Sequence, residues 1–245
     1  MTAGSDILAI GAHPDDVELG VGGTLLLARE RGERTVICHL TEGELGTRGT
    51  REIRRAEAAA AAEALGAAEL EILDLGDGHL EANQAAKSVV IDLIRRHRPR
   101  LILAPYWDDL HPDHRAAGEL VRQCAFLAGV AKRDPGLAPW RPERVLYFMQ
   151  HTSFEPHLIV DVSPVFAEKK RAAMCYRSQF HDPDSREPRT YISGENFWDW
   201  WEGRARHWGH VVGVAHGEPL FAAGPIPTRD PLSLFGGFGR YRNEP

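Results

Sequence analysis

Apolar residues in this chain concentrate in short runs, that at 101–104 unbroken, separated by longer amphipathic stretches. Residues 7–10, 35–40, 70–73 and 101–104 are such runs, each of the length of a strand buried on both faces. Between them the spacing turns helical. Residues 22–31 predict a helix that Gly32 ends. Thr50 caps a second helix reaching about Leu65, with Gly66 as its stop. Residues 88–97 predict a third that ends before Pro99, and Pro112 takes the first helical position of a fourth over 112–129. The alternation predicts an α/β fold, a Rossmann-like, mostly parallel sheet with helices on both faces.

Beyond residue 130 the pattern is less regular. Residues 145–149 and 157–162 read as strands, and Ser163 and Pro164 open a helix to about Tyr176. Residues 180–189, rich in Asp, Pro and charge, read as an exposed loop, and a last helix is expected over about 195–208. The Gly- and Pro-rich tail from Gly217 onward is expected to wrap over a surface. The alanine run 58–62 is good helix rather than low complexity.

Composition narrows the function classes. With 43% hydrophobic and 26% charged residues among 245, a sizeable core is expected in a single domain over 1–245. A net charge of −6 gives no footprint for nucleic acid. Arg51, Arg54 and Arg55 cluster, but Glu52 and Glu57 interleave with them, which reads as a solvated helix with local ion pairs. No apolar run approaches the roughly 20 residues of a membrane span, and the start of the chain does not read as a signal peptide. Cys38, Cys124 and Cys175 are too scattered for a disulfide framework or a metal spacing. They read as small buried hydrophobes in a reducing cytoplasm.

Two loops carry chemistry. His13-Pro14-Asp15-Asp16 follows the first strand, and His111-Pro112-Asp113-His114 follows the fourth. In doubly wound folds ligands bind beyond the carboxyl ends of strands. Adjacent carboxylates beside a histidine repel unless a cation or hydrogen bonds compensate. Together the loops offer His, Asp and His from neighbouring strand ends, and three protein ligands with an open fourth position mark catalytic zinc. One carboxylate is left to act as base and one histidine as acid. Taken singly, His13 or Asp16 could equally be a cap or loop hydrogen bond. The run Gly20-Val21-Gly22-Gly23 could suggest a phosphate-cradling turn, but it matches no dinucleotide fingerprint and has no Walker lysine. It reads better as glycines that let a helix pack close to the metal loop.

The stretch His13-Pro14-Asp15-Asp16-Val17-Glu18-Leu19-Gly20 with Gly22-Gly23-Thr24, followed by His111-Pro112-Asp113-His114, resembles the LmbE-like (PIG-L) deacetylase family. Residues 40–50, 176–180 and 204–209 resemble its bacillithiol-biosynthesis deacetylases, so that the likeness runs from about Asp6 to Phe221. It implies one Zn2+ per chain, replaceable by Fe2+ or Co2+, held by His13, Asp16 and His114. Asp15 would be the general base and His111 the general acid and oxyanion partner. Independently of the resemblance, a neighbouring carboxylate, Asp113 or Asp108, is expected to raise the pKa of His111. Arg54 and Arg144 match arginines at the substrate's charged end. The implied reaction is removal of the N-acetyl group from N-acetylglucosaminyl malate, with mycothiol precursors or chitooligosaccharides as alternative substrates. The resemblance also implies a homo-oligomer, commonly a hexamer. On this reading residues 1–130 form the regular core with the metal site, and 131–245 complete the sheet, the substrate pocket and the oligomer contacts.

Leu110 departs from relatives that carry an arginine there, and Phe197 from relatives with a tyrosine. The stripe Phe197, Trp201, Trp208 with Arg204 has helical spacing and reads as core or interface, with sugar stacking as the lesser reading. Two rival functions remain: a non-haem iron oxygenase, since two histidines and a carboxylate also make its facial triad, and a non-catalytic glycoconjugate-binding module. Oxygen consumption with a 2-oxo acid would mark the first, and binding without acetate release the second.

Overall fold

The computed structural model describes residues 4–133 and 136–227. Its centre is a seven-stranded sheet built from β1 (Ile7–Gly11), β2 (Thr35–His39), β3 (Glu69–Ile72), β4 (Leu101–Pro105), β5 (Arg144–Phe148), β6 (Leu158–Asp161) and β7 (Gly217–Ala222), in the order β3-β2-β1-β4-β5-β7-β6. The first five strands run parallel, and β7 is antiparallel to both its neighbours. The mostly parallel sheet expected from the alternation is therefore present.

Both faces of the sheet are covered, which is why its central strands β1 (ILAIG) and β4 (LILAP) carry no polar side chain. Along β1, Ile7 and Ala9 enter one core cluster and Leu8 and Ile10 the other, as the two-residue repeat of a strand requires. The first face carries α1 (Asp16–Glu30), α2 (Arg51–Leu65), α5 (Phe166–Ala173) and α6 (Phe197–Val212), and the second carries α3 (Gln84–His97) and α4 (Pro112–Leu127). The end signals act as expected at α2, where the Thr50 side chain accepts from Ile53 N–H and Gly66 closes the helix at φ 70°. α3 begins earlier than its apolar spacing indicates, because Asn83 caps it through Ala86 N–H.

Three expectations are corrected. The tail from Gly217 does not begin by lying on a surface; residues 217–222 form β7, inserted between β5 and β6. Gly217 and Pro219 disguise the strand, and Pro219 is tolerated because β7 pairs with β5 only from Leu220 onward, so that at Pro219 the strand has a neighbour on one side alone. The part of that tail beyond residue 227 lies outside the described residues. The helix expected from Gly22 begins at Asp16 and kinks at Val21 (φ −135°). The glycines do permit close packing, but against the sheet rather than the metal loop: a Cβ on Gly20 would meet Phe148 at 2.5 Å and one on Gly23 would meet Val162 at 2.6 Å. Nor do the N–H groups of this run await a phosphate. Those of Gly23 and Thr24 each donate to the Glu218 carboxylate of β7 at 2.8 Å, and Glu218 also takes Lys169 Nζ at 2.7 Å.

Candidate catalytic and metal site

The carboxyl ends of β1, β2, β3, β4 and β5 open onto one edge of the sheet, and the loops that follow them converge. After β1 the chain turns sharply: Asp15 takes φ 108°, and Asp16 starts α1. Left-handed backbone at a non-glycine residue is strained and is held only by surrounding contacts. Arg54, buried on α2, supplies them by donating to Pro14 O and, at 3.2 Å, to Gly43 O, with Nη2 3.4 Å from Asp15 Oδ2. After β4, the His111 backbone precedes the helix, Pro112 opens α4, and His114 lies in its first turn.

The two motifs meet as the sequence indicates. One nitrogen from each of His13, His111 and His114 lies within 4.8 Å of the others. Asp16 spans two of these rings, with Oδ1 3.1 Å from His114 Nε2 and Oδ2 3.6 Å from His13 Nδ1. This set of imidazole nitrogens plus a buried carboxylate fits a transition metal such as zinc, and an uncompensated group of this kind would be costly to bury. The electrostatics follow the crowding. Burial opposes protonation of His114, yet Asp16 and Asp109 raise its pKa to about 9. Burial would raise Asp16, but His114 and His13 hold it well below the ordinary carboxylate range. Asp15 touches neither ring. Burial lifts its pKa to about 6, against the pull of Arg54.

The carboxylates behind the histidines differ from those expected. Asp113, expected to tune His111, instead places its Oδ2 3.1 Å from His13 Nε2 and accepts Gly78 N–H at 2.6 Å. Asp108, the alternative, is exposed and lines a neighbouring cavity instead. The next residue, Asp109, takes the supporting role: buried, it pairs with His114 Nδ1 at 3.0 Å and accepts the N–H groups of His111, His151 and Thr152. Nor does any carboxylate raise His111 above its ordinary value; burial and the neighbouring His114 and His13 lower its pKa. Asp109 escapes a sequence reading because it looks like a turn former, a role it also fills through His111 N–H.

Further residues carry no plain signal in the sequence. Asp77, from the loop after β3, reaches His13 Nε2 at 3.1 Å, and the flanking Gly76 and Gly78, both at positive φ, are its one visible mark. His151, after β5, has Nδ1 3.2 Å from Asp109 Oδ1, and its ring is stacked 5.2 Å from that of His114. Under the first loop lies a closed polar cluster: Tyr176 OH donates to Glu18 Oε1 at 3.1 Å and sits 3.4 Å from His39 Nε2. Burial pushes Glu18 up to about 8 and His39 down to about 3, so both are neutral supports near pH 7.

The expected substrate residues fare unequally. Arg54 borders the site, although its guanidinium is turned to the loop backbone and Asp15. Arg144 does not border it: it is the exposed first residue of β5, in register with Leu101 at the start of β4. A five-residue strand separates it from the catalytic edge by about 13 Å. Leu110 is 79% exposed at the site's rim, and Phe197 is core, packed on Phe180 at 5.4 Å. The tyrosine that does approach the histidines is Tyr191, whose ring is 6.5 Å from that of His151. Trp201 is core as expected, donating Nε1–H to Leu19 O at 3.1 Å.

Residues 8–125 match the PIG-L family, described as GlcNAc-PI de-N-acetylase. A diacetylchitobiose deacetylase of Thermococcus kodakarensis is 30% identical over 87% of this chain and 81% of its own. A Bacillus anthracis protein named "Probable N-acetyl-alpha-D-glucosaminyl L-malate deacetylase 2" is 27% identical over 82% of this chain and 93% of its own. Among solved structures, the conserved protein TT1542 of Thermus thermophilus superposes with a TM-score of 0.83 at 35% identity, covering 91% of this chain and 97% of that one. With 30% identity to a deacetylase over 87% of its length and a match to the family model over residues 8–125, the chain belongs to the PIG-L family of de-N-acetylases.

Proposed function

We propose that the protein is a zinc-dependent hydrolase that removes the acetyl group from an N-acetylglucosaminyl glycoside. The observation that carries this reading is Asp15, a buried carboxylate beside three converging imidazoles but, among the described residues, bonded to Arg54 and to none of those rings. His13, Asp16 and His114 would hold the metal. A divalent cation there would supply Lewis acidity toward the amide carbonyl and would acidify a water molecule. Asp15 is the base that takes a proton from the attacking water as its oxygen adds to the acetyl carbon. His111 completes the reaction: its Nδ1 accepts Asp113 N–H at 3.2 Å, so the neutral ring carries its proton on Nε2. That N–H donates a hydrogen bond to the oxyanion, and the departing nitrogen takes the proton that Asp15 received from the water. The C–N bond breaks to give acetate and a primary amine.

The malate conjugate is the glycoside that the motif resemblance and the Bacillus anthracis relative favour, and the diacetylchitobiose deacetylase favours a neutral sugar conjugate. The metal-analysed protein, incubated with N-acetylglucosaminyl malate, N,N′-diacetylchitobiose and N-acetylglucosamine, should release acetate and primary amine in equal amounts from at least one. Asp15→Ala should retain its metal by elemental analysis and lose turnover by roughly 10²–10⁴-fold, the usual worth of a general base. Near-normal turnover in that variant would refute the assignment of the base, and absence of acetate from all three substrates would refute the reaction.

A further inference from the structure

Arginine cannot escape burial by giving up its proton, so a guanidinium inside a protein needs acceptors and a counter-charge. Arg204, on α6, is half-buried as a residue, but its guanidinium is set deep enough that burial lowers its pKa from the ordinary arginine value. One of its nitrogens, Nη1, donates to the backbone carbonyl of Gln150, and among the described residues it forms no other hydrogen bond and no ion pair. Glu202, two residues earlier on α6, pairs instead with Lys170 at 3.3 Å and Arg206 at 2.6 Å. Asp109 and Tyr191 act on Arg204 only from beyond ion-pair distance. Gln150 adds to the shortage of acceptors, since its side-chain Nε2 is buried and has no partner among the described residues.

Beside Arg204 lies a cavity of about 20 Å³ bounded by α1, α5, α6 and β7. It has room for a particle the size of a water molecule or slightly larger, not for a multi-atom anion. The charged groups in its lining are Lys169, Glu218 and Arg204. The first two cancel, with Lys169 Nζ 2.7 Å from Glu218 Oε1. The Glu218 oxygens also accept the N–H groups of Gly23 and Thr24 at 2.8 Å and Thr24 Oγ1 at 2.5 Å. They are saturated without Arg204. Leu19, also in the lining, has its carbonyl taken by Trp201 Nε1–H at 3.1 Å. The wall therefore carries one positive charge with nothing in it left to balance that charge.

We propose that this cavity holds a single monovalent anion of halide size, chloride under ordinary conditions, bound by the remaining N–H groups of Arg204. Charge and size select the ligand together. Lys169 and Arg204 repel a cation, and the volume excludes phosphate. Water alone would satisfy N–H groups but leave the charge unbalanced. The apolar remainder of the wall, with Leu19 and Trp201, suits a weakly hydrated ion. The anion joins α6 to α1, the helix whose first residue is Asp16, and so fastens the element that presents a candidate metal ligand. Nothing in this site depends on which substrate the protein hydrolyses.

Crystals of the wild-type protein soaked in sodium bromide, measured at the bromine absorption edge, should show an anomalous peak in this cavity within hydrogen-bonding distance of Arg204. A cavity that holds water alone overturns the proposal, and so does a peak confined to exposed arginines and lysines, which would be an adventitious ion only. In solution, the melting temperature should rise by about 3–6 °C between no chloride and chloride at about tenfold its Kd, with sodium gluconate holding the ionic strength constant. Arg204→Met should abolish that rise, and an equal rise in the variant overturns the assignment to Arg204. The bromide experiment needs no variant, so a misfolded Arg204→Met still leaves the proposal decided. Neither readout uses acetate release, which keeps a failure here separate from a failure of the deacetylase reading.

Discussion

Single side chains around the histidines owe their roles to which neighbour holds which nitrogen. His114 illustrates it: Asp16 faces Nε2 and Asp109 faces Nδ1. A carboxylate on the remote nitrogen fixes tautomer and ring angle and raises ligand basicity, and its loss ordinarily costs roughly 10–100-fold in metal affinity. Asp109→Asn should therefore weaken zinc binding by that factor, read by competition with a chromophoric chelator, and unaltered affinity would remove Asp109 from the site. At this scale the sequence is legible where function and spacing coincide. His13, Asp15, Asp16, His111 and His114 stand in two compact motifs at strand ends. Asp77, Asp109 and His151 do not, since their partners lie in other loops or behind a turn. Asp77 and His13 are adjacent because β3 and β1 flank β2, a fact of strand order that no local window contains. Arg144 fails for the converse reason, a residue type suited to the substrate at the wrong end of its strand.

Among the elements, α1 and β7 are the pair whose relation decides most. α1 begins with Asp16, and its kinked middle is fastened to β7 by Glu218, which accepts from Gly23 N–H, Thr24 N–H and Thr24 Oγ1 and pairs with Lys169 of α5. Lys169 and Glu218 are both almost wholly buried, at 3% and 1% exposure. Removing one member of such a pair strands the other charge and costs about 3–5 kcal/mol, whereas replacing both costs less. Lys169→Met should lose about that much in urea unfolding, and Lys169→Met with Glu218→Gln should be less damaging than the sum of the singles. Strict additivity would show that the two do not act as a pair. The glycines of α1 are visible in the sequence, but their partner Glu218 is far along the chain, in a strand that Gly and Pro disguise.

For the whole molecule, the consequence of gathering so many charged groups at one edge is dependence on the bound cation. The folded protein brings Asp15, Asp16, Asp77, Asp109 and Asp113 around three histidines, all but His111 buried. A metal that binds only the folded chain stabilises it by about 2.7 kcal/mol at a hundredfold excess over Kd. Exhaustive chelation should accordingly lower the melting temperature by about 5–10 °C, recovered on adding zinc. An identical melting curve with and without chelator would mean that no cation is held. The fold as a whole is readable through β5, because there strand and helix alternate and the crossovers join parallel strands. It ceases to be readable where β7 reverses direction and enters between strands made earlier.

That insertion also orders the events of synthesis. Every residue assigned to the metal lies before Pro105 or within the first turn of α4, and so leaves the ribosome early. β6, by contrast, borders only β7 in the sheet, and β7 is made after α5 and α6. Until Gly217–Ala222 emerges, β5 presents an unpaired edge and β6 has no ladder to join. The nascent chain thus carries all three candidate metal ligands on an unfinished sheet, open to edge-to-edge pairing during that interval.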